Sequence, residues 1–282
     1  MAALDIEVAE KAGACYGVNR ALRFAQEAAD GPGPVHTLGP LIHNPQVVAE
    51  LAEHGVAVAH TLDEAGGGTL VLRSHGTAPA LEDEALARGF HVIDATCPYV
   101  ARVQRDARAL AAEGRAVVII GQPGHAEVES IRAWGGSAVV AVADTPDKLP
   151  EQLPERVGVV IQTTQSEERV AAVLAAVRER ADDVLVKDTV CIATQERQQA
   201  AAQLARRVEL MLVVGGHNSG NTTRLAEICG PLCARVHHIE TPDEIEPSWL
   251  TGVAHVGITA GASTPQSHID AVVAHVRERY GS

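Results

Sequence analysis

The chain has 282 residues, 46% of them apolar and 21% charged, enough to bury a sizeable core across two or three domains without disulfide staples. Its 36 acidic side chains outnumber 23 basic ones, for a formal charge of −13, and no basic block is present to meet nucleic acid or an anionic membrane. Two Trp, three Tyr and two Phe are too few for a base-stacking platform. No apolar run approaches the roughly 18 residues of a membrane span. The opening MAALDIEVAEKAG lacks the basic start and apolar stretch of a secretory signal, so a cytoplasmic protein with no membrane or nucleic-acid partner is expected.

Short runs rich in Val, Ile and Leu, most ending in Gly, Ser or Thr, predict strands along the whole chain. They fall at Val35–Leu38, Thr69–Ser74, His91–Thr96, Ala116–Gly121, Ala138–Ala143, Val157–Thr164, Val184–Thr189, Glu209–Gly216, Arg235–Glu240 and His255–Gly261. Amphipathic helices are predicted between them at Val18–Ala29, Pro79–Arg88, Val100–Glu113, Glu167–Ala181, Gln195–Arg207 and Pro265–Tyr280. This alternation reads as βαβ units in an α/β fold with mainly parallel sheets. The three-proline loop Thr145–Arg156 is the nearest thing to a linker.

The cysteines divide the chain differently. Cys15, Cys97 and Cys191 lie 82 and 94 residues apart, and 94 is one third of the length. Cys97 and Cys191 each follow a strand-like run (HVIDAT, VLVKDT) and precede a helix, and Cys15 is set the same way. Three similar α/β units at 1–97, 98–187 and 188–282 would each offer a thiol at a strand's C-terminal end, where open α/β sheets gather ligands. Two units sharing a core with a third appended fit nearly as well. No C-x-x-C pair is present, so spacing alone names no metal. Thiolates drawn from three strand-to-helix turns suit a soft centre such as an iron–sulfur cluster, against the bland reading of buried packing thiols. Cys229 and Cys233, in EICGPLC beside an apolar helical face, read as packing thiols.

His43 in GPLIHNP, His75 in RSHGTAP and His125 in GQPGHAEVE share one context, a Gly/Pro turn close to a helix start. There, backbone N–H groups and an imidazole together make an anion site. Ser219, Gly220 and Asn221 in GGHNSGNTTRLAE, and Ser263 in TAGASTP, repeat that arrangement with hydroxyl and amide donors, or else simply cap helices. Neither a G-x-x-x-x-G-K-[ST] loop nor a G-x-G-x-x-G opening a helix supports an ATP or NAD site. Glu127 lies two residues past His125 at a helix start. It is either a carboxylate favoured by the helix dipole or a proton donor with Thr163, in IQTTQS, as its relay partner.

Nine motifs in order, GACYGVNRA, LGPLIHNPQVV, RSHG, DATCPYV, GHAEVE, QTTQS, ATQERQ, GGHNSGNTTRLAE and TAGAS, resemble the 4-hydroxy-3-methylbut-2-enyl diphosphate reductase (LytB/IspH) family over nearly the whole chain. The resemblance implies three pseudo-symmetric α/β units around a [4Fe-4S] cluster held by Cys15, Cys97 and Cys191, with one iron left for substrate. It implies a small allylic diphosphate held by His43, His75, His125, Ser219, Asn221 and Ser263. It makes Glu127 and Thr163 the proton-delivery pair, and ferredoxin or flavodoxin the electron donor. Gly220 departs from it, standing where many members carry a second serine; the backbone N–H remains and one side-chain hydrogen bond is lost. A cluster-bearing protein that binds without turnover, and a phosphate-ester hydrolase using the histidines as metal ligands, share parts of the pattern. Glu127 favours the reductase.

Overall fold

β-Branched runs too short for helices and apolar on both faces form the interior strands, and Gly, Ser and Thr at their ends turn the chain into helices. In the computed structural model, residues 4–280 are described. The order begins β1 (Asp5–Val8), α1 (Tyr16–Ala29), β2 (Val35–Leu38), α2 (Pro45–Glu53), β3 (Val56–Ala59), α3 (Leu62–Ala65), β4 (Thr69–Leu72), α4 (Pro79–Ala87) and β5 (His91–Asp94). It continues α5 (Pro98–Ala112), β6 (Ala116–Ile120), α6 (Ala126–Gly135), β7 (Val139–Ala143), β8 (Arg156–Ile161), α7 (Glu167–Arg178) and β9 (Asp183–Val186). It ends α8 (Ile192–Ala205), β10 (Leu210–Val214), α9 (Gly220–Cys229), β11 (Val236–Ile239), α10 (Pro247–Leu250), β12 (His255–Ala260) and α11 (Gln266–Tyr280).

The strands form three four-stranded sheets of one topology, ordered β3-β2-β4-β5, β7-β6-β8-β9 and β11-β10-β12-β1. Every pairing is parallel. The third sheet takes its outer strand from the start of the chain, with Asp5 paired to His255 and Val8 to Ile258. All ten predicted strands and six predicted helices fall on observed elements; β1 is the strand expected ahead of Cys15, given no bounds from the sequence, and β3 was not expected. DIEV carries no apolar run and is only partly buried even within its sheet, while β3 (VAVA) is a short edge strand with an exposed alanine between its buried ends.

The central strands hold the core. β6 (AVVII) and β10 (LMLVV) are buried almost throughout, and α5 covers the second sheet with Val100, Val103, Ala107 and Leu110, a helical stripe. Full burial of side chains such as Ile119 or Leu110 contributes about 1.5–3 kcal/mol each. Gly158 of β8 makes room for that stripe, since a β-carbon there would lie 2.8 Å from Leu110.

Contacts divide the chain into two units. One contains the β11-β10-β12-β1 sheet and His43–Pro45; the other contains the remaining two sheets. The chain passes between them after Tyr16, on either side of His43–Pro45, and after Cys191.

Candidate active site

The same turn carries each of the three cysteines. The Cys15 N–H donates to the Ala262 carbonyl at 3.0 Å, the Cys97 N–H to Ser74 at 3.0 Å, and the Cys191 N–H to Thr163 at 3.0 Å. Each acceptor stands two residues beyond the strand that pairs with the one leading into the cysteine: β12, β4 and β8. Cys97 caps α5, while Cys15 and Cys191 immediately precede α1 and α8, so each thiol lies at a helix N-terminus whose dipole favours negative charge. All three are half-buried. A large apolar side chain stands exposed just past each: Tyr16 at 69%, Tyr99 at 38% and Ile192 at 56%. Cys15 belongs to one contact unit and Cys97 and Cys191 to the other, and within neither unit, among the described residues, do three or more His, Cys, Asp or Glu side chains gather as a metal site.

The unit holding Cys97 and Cys191 also gathers His75, His125, Glu127 and Thr163. His125 caps α6: its Nδ1 accepts the Glu127 N–H at 3.1 Å, so the neutral ring carries its proton on Nε2. The His75 ring meets His125 edge-on, with centroids 5.8 Å apart and planes at 82°. Glu127 is buried in the first turn of the same helix. Its Oε1 accepts from the Thr163 N–H at 2.7 Å and its Oε2 from the Thr163 hydroxyl at 2.9 Å. Burial pushes the carboxyl up to about 7, and the two Thr163 bonds pull the other way. The acid is therefore half-protonated near neutral pH, bonded to a hydroxyl that either donates or accepts.

The other unit gathers His43, Ser219, Gly220, Asn221 and Ser263. The Ser263 hydroxyl donates to the His43 carbonyl at 3.0 Å, and the buried Asn44 carboxamide donates to the Ser263 carbonyl at 3.0 Å. Ser219 caps α9, and Gly220 opens that helix. Asn221 is only 5% exposed, and both polar atoms of its carboxamide lack a partner among the described residues. Buried amides are almost always satisfied, and this one lies in the first turn of a helix, where N–H donors favour an anion. The loop ahead of it needs glycine: Gly215 has φ +144, and a β-carbon there would lie 2.7 Å from the hydroxyls of both Thr222 and Thr264.

Two further histidines adjoin this loop, exposed His217 and half-buried His238: the His238 Nε2–H donates to the Gly215 carbonyl at 2.8 Å, its ring lies 4.5 Å from that of His217, and the His217 N–H donates to Glu240 at 2.6 Å. Together they brace the loop that ends in Ser219, through an i-to-i+23 contact no local motif announces. Arg197, Gln162 and Gln104 are further buried polar side chains at the turns that sequence reading passed over. Cys229 and Cys233 do pack in the core, and burial pushes the Cys229 thiol up to about 12.

Comparisons with known proteins identify a family. The sequence pattern of the family described as LytB protein matches residues 6–277. The 4-hydroxy-3-methylbut-2-enyl diphosphate reductase of Pelobacter propionicus is 45% identical over 275 residues, covering 98% of each chain. A solved structure of (E)-4-hydroxy-3-methyl-but-2-enyl diphosphate reductase, described as the terminal enzyme of the non-mevalonate pathway, is 40% identical with a TM-score of 0.71, covering 98% of this chain and 99% of that one. The reductase from Plasmodium falciparum, at 24% identity and a TM-score of 0.92, shares the fold over 99% of this chain and 89% of its own. The chain belongs to the LytB family.

Proposed function

We propose that this chain reduces (E)-4-hydroxy-3-methylbut-2-enyl diphosphate to isopentenyl and dimethylallyl diphosphate, the last step of the non-mevalonate isoprenoid pathway. The reaction consumes two electrons and two protons and releases the allylic hydroxyl as water. Cys15, Cys97 and Cys191 would hold a [4Fe-4S] cluster. Their fit rests on three equivalent turns that present a half-buried thiol at a helix N-terminus, a donor set suited to a soft centre. Such a cluster, bound by three thiolates, supplies the electrons and one iron open to act as a Lewis acid.

The chain's own residues do the rest. His43, His75, His125, Ser219, Asn221 and Ser263, with the Gly220 N–H, hold the diphosphate, and this binding energy fixes the reacting end. Protonated Glu127 donates Oε2–H to Thr163 Oγ1, which frees the threonine proton to be passed to the leaving oxygen. The observation that carries the reading is this buried pair, Glu127 with its carboxyl near 7 bonded twice to Thr163, beside His75 and His125.

Ferredoxin or flavodoxin is the proposed electron donor, and the exposed Tyr16, Tyr99 and Ile192 beside the cysteines are apolar sites for it to touch. An odd count of five cysteines, unlike a disulfide framework, favours the reducing cytoplasm. No helix among the described residues is long and apolar enough to cross a membrane. The three repeated sheets support units bounded at 1–97, 98–187 and 188–282, with the first strand lent to the last sheet.

Anaerobic turnover of the diphosphate with a reduced viologen dye, on reconstituted protein, tests the function. Both five-carbon diphosphates are expected, and Glu127→Gln should keep its iron while losing at least about 100-fold in rate. A full iron and sulfide complement with no turnover would leave a binding protein instead.

A further inference from the structure

Helix α6 carries His125 and Glu127 at its start, and two further polar side chains on the Glu127 face, Ser130 and Trp134, point at a different segment. The Trp134 Nε1–H donates to the Thr77 carbonyl at 3.1 Å, and the Ser130 hydroxyl reaches the same carbonyl at 3.4 Å. Ser130 in turn accepts from Gln104 of α5 at 2.6 Å, and both side chains are buried. Thr77 lies two residues past His75. Between them, Gly76 has φ +80, and a β-carbon there would sit 2.1 Å from Gln104 Nε2 and 2.7 Å from Ser130 Oγ. From the strand side, Arg73 Nε–H donates to the Gly76 carbonyl at 3.2 Å. The Arg108 guanidinium lies 4.0 Å over the Trp134 ring and holds the indole in place. The Gly76 and Thr77 carbonyls are thus tied, one to Arg73 just past β4 and one to the acid-bearing helix.

We propose that Trp134 and Ser130 are positioning residues for His75, clamping its turn to α6 so that one rigid helix sets both the diphosphate-binding imidazole and the proton donor Glu127. This rests on the reading of His75 as a diphosphate contact. Two donors converging on one carbonyl fix a turn in direction as well as in depth, which apolar packing alone does not do. The spacing Glu127, Ser130, Trp134 follows one helix face over two turns, so a shift of the clamp moves His75 against His125 while the Glu127–Thr163 pair stays put.

The test uses the cluster-loaded enzyme with Trp134→Phe, which keeps an aromatic ring under Arg108 but removes the N–H, and with Ser130→Ala. Each lost bond should raise KM and the dissociation constant for inorganic diphosphate about fivefold. The rate constant kcat should fall by less, with iron content and the alkaline limb of the pH profile unmoved. In a His75→Ala background the same substitutions should have no further effect on diphosphate affinity. A lower Tm with unchanged KM and diphosphate affinity would reduce the clamp to a structural contact and overturn the proposal. So would a fivefold loss that persists without His75. If His75→Ala alone leaves KM and diphosphate affinity untouched, the reading of His75 itself fails, a result distinct from the other two.

Discussion

A carboxyl group out of reach of water keeps its proton longer than one in solvent, and Glu127 is held in that state by burial against the pull of two Thr163 donors. Its folded pKa of about 7 stands above the ordinary 4.5, so its contribution to stability is fully present below about 4.5. That contribution is lost as pH rises toward 7, because the unfolded chain releases the proton first. Glu127→Gln carries no such proton. The Tm of this variant relative to the parent should therefore climb between pH 4.5 and 7 and level off above, a change on the order of 3 kcal/mol. A difference that stays flat across this window would mean that Glu127 titrates like a solvated glutamate. With Glu127 as the proposed proton donor, kcat of the parent should fall as pH rises through about 7, where the acid form disappears. Measuring both profiles ties the stability effect to the catalytic one. At this scale the residue types were legible in the sequence, since GHAEVE and QTTQS place the pair. The 36-residue gap between its members and the burial that sets its pKa were not, because both arise only when β6 and β8 lie side by side.

At the scale of elements, the site is made where strands give way to helices. His43, His125 and Ser219 are each the fifth residue after an equivalent strand, β2, β6 and β10, and His75 and Ser263 each the third after β4 and β12. Val/Ile runs and turn residues gave those strand ends away, so the proposed binding residues could be placed before their partners were known. The loop from Gly215 to Ser219 also depends on a brace from outside itself, the His238 Nε2–H on β11 to the Gly215 carbonyl. Burial keeps the His238 ring below its usual pKa, so it is neutral at pH 7 and needs the Nε2–H tautomer to make this bond. His238→Ala should loosen the loop and weaken inorganic diphosphate binding about fivefold by calorimetry, while His238→Asn, which restores an N–H donor, recovers part of it. Unchanged affinity in the alanine variant would show that the loop holds its own shape. Nothing in VHHIE distinguishes His238 from its neighbour His237, which stacks on Trp249 at 3.6 Å. Only the parallel register of β10 and β11 selects one ring for the loop and the other for the core edge.

Across the whole molecule the repeat runs cysteine, helix, then four strands, and it closes on the next cysteine. Cys15 to Cys97 encloses α1 and the β2-to-β5 sheet; Cys97 to Cys191 encloses α5 and the β6-to-β9 sheet. After Cys191 come α8, β10, β11 and β12, and the missing fourth strand is β1, which leads directly into Cys15. The spacing of 94 residues was readable as a third of the chain, but the cyclic shift was not, because β1 shows only four weakly buried residues until it pairs with β12. This closure carries a consequence for the proposed cluster. If the three turns are equivalent, Cys15, drawn from a different contact unit than Cys97 and Cys191, must contribute a ligand of equal weight. Cys15→Ser, Cys97→Ser and Cys191→Ser should then each lose most of the iron and sulfide bound after anaerobic reconstitution, and to similar extents, since a cluster missing a thiolate is labile whichever turn supplied it. Iron content is the direct readout, with unfolding monitored alongside to separate ligand loss from collapse of the turn. A Cys15→Ser protein that folds and keeps a full complement while the other two lose theirs would confine the metal to the two-sheet unit and break the threefold scheme.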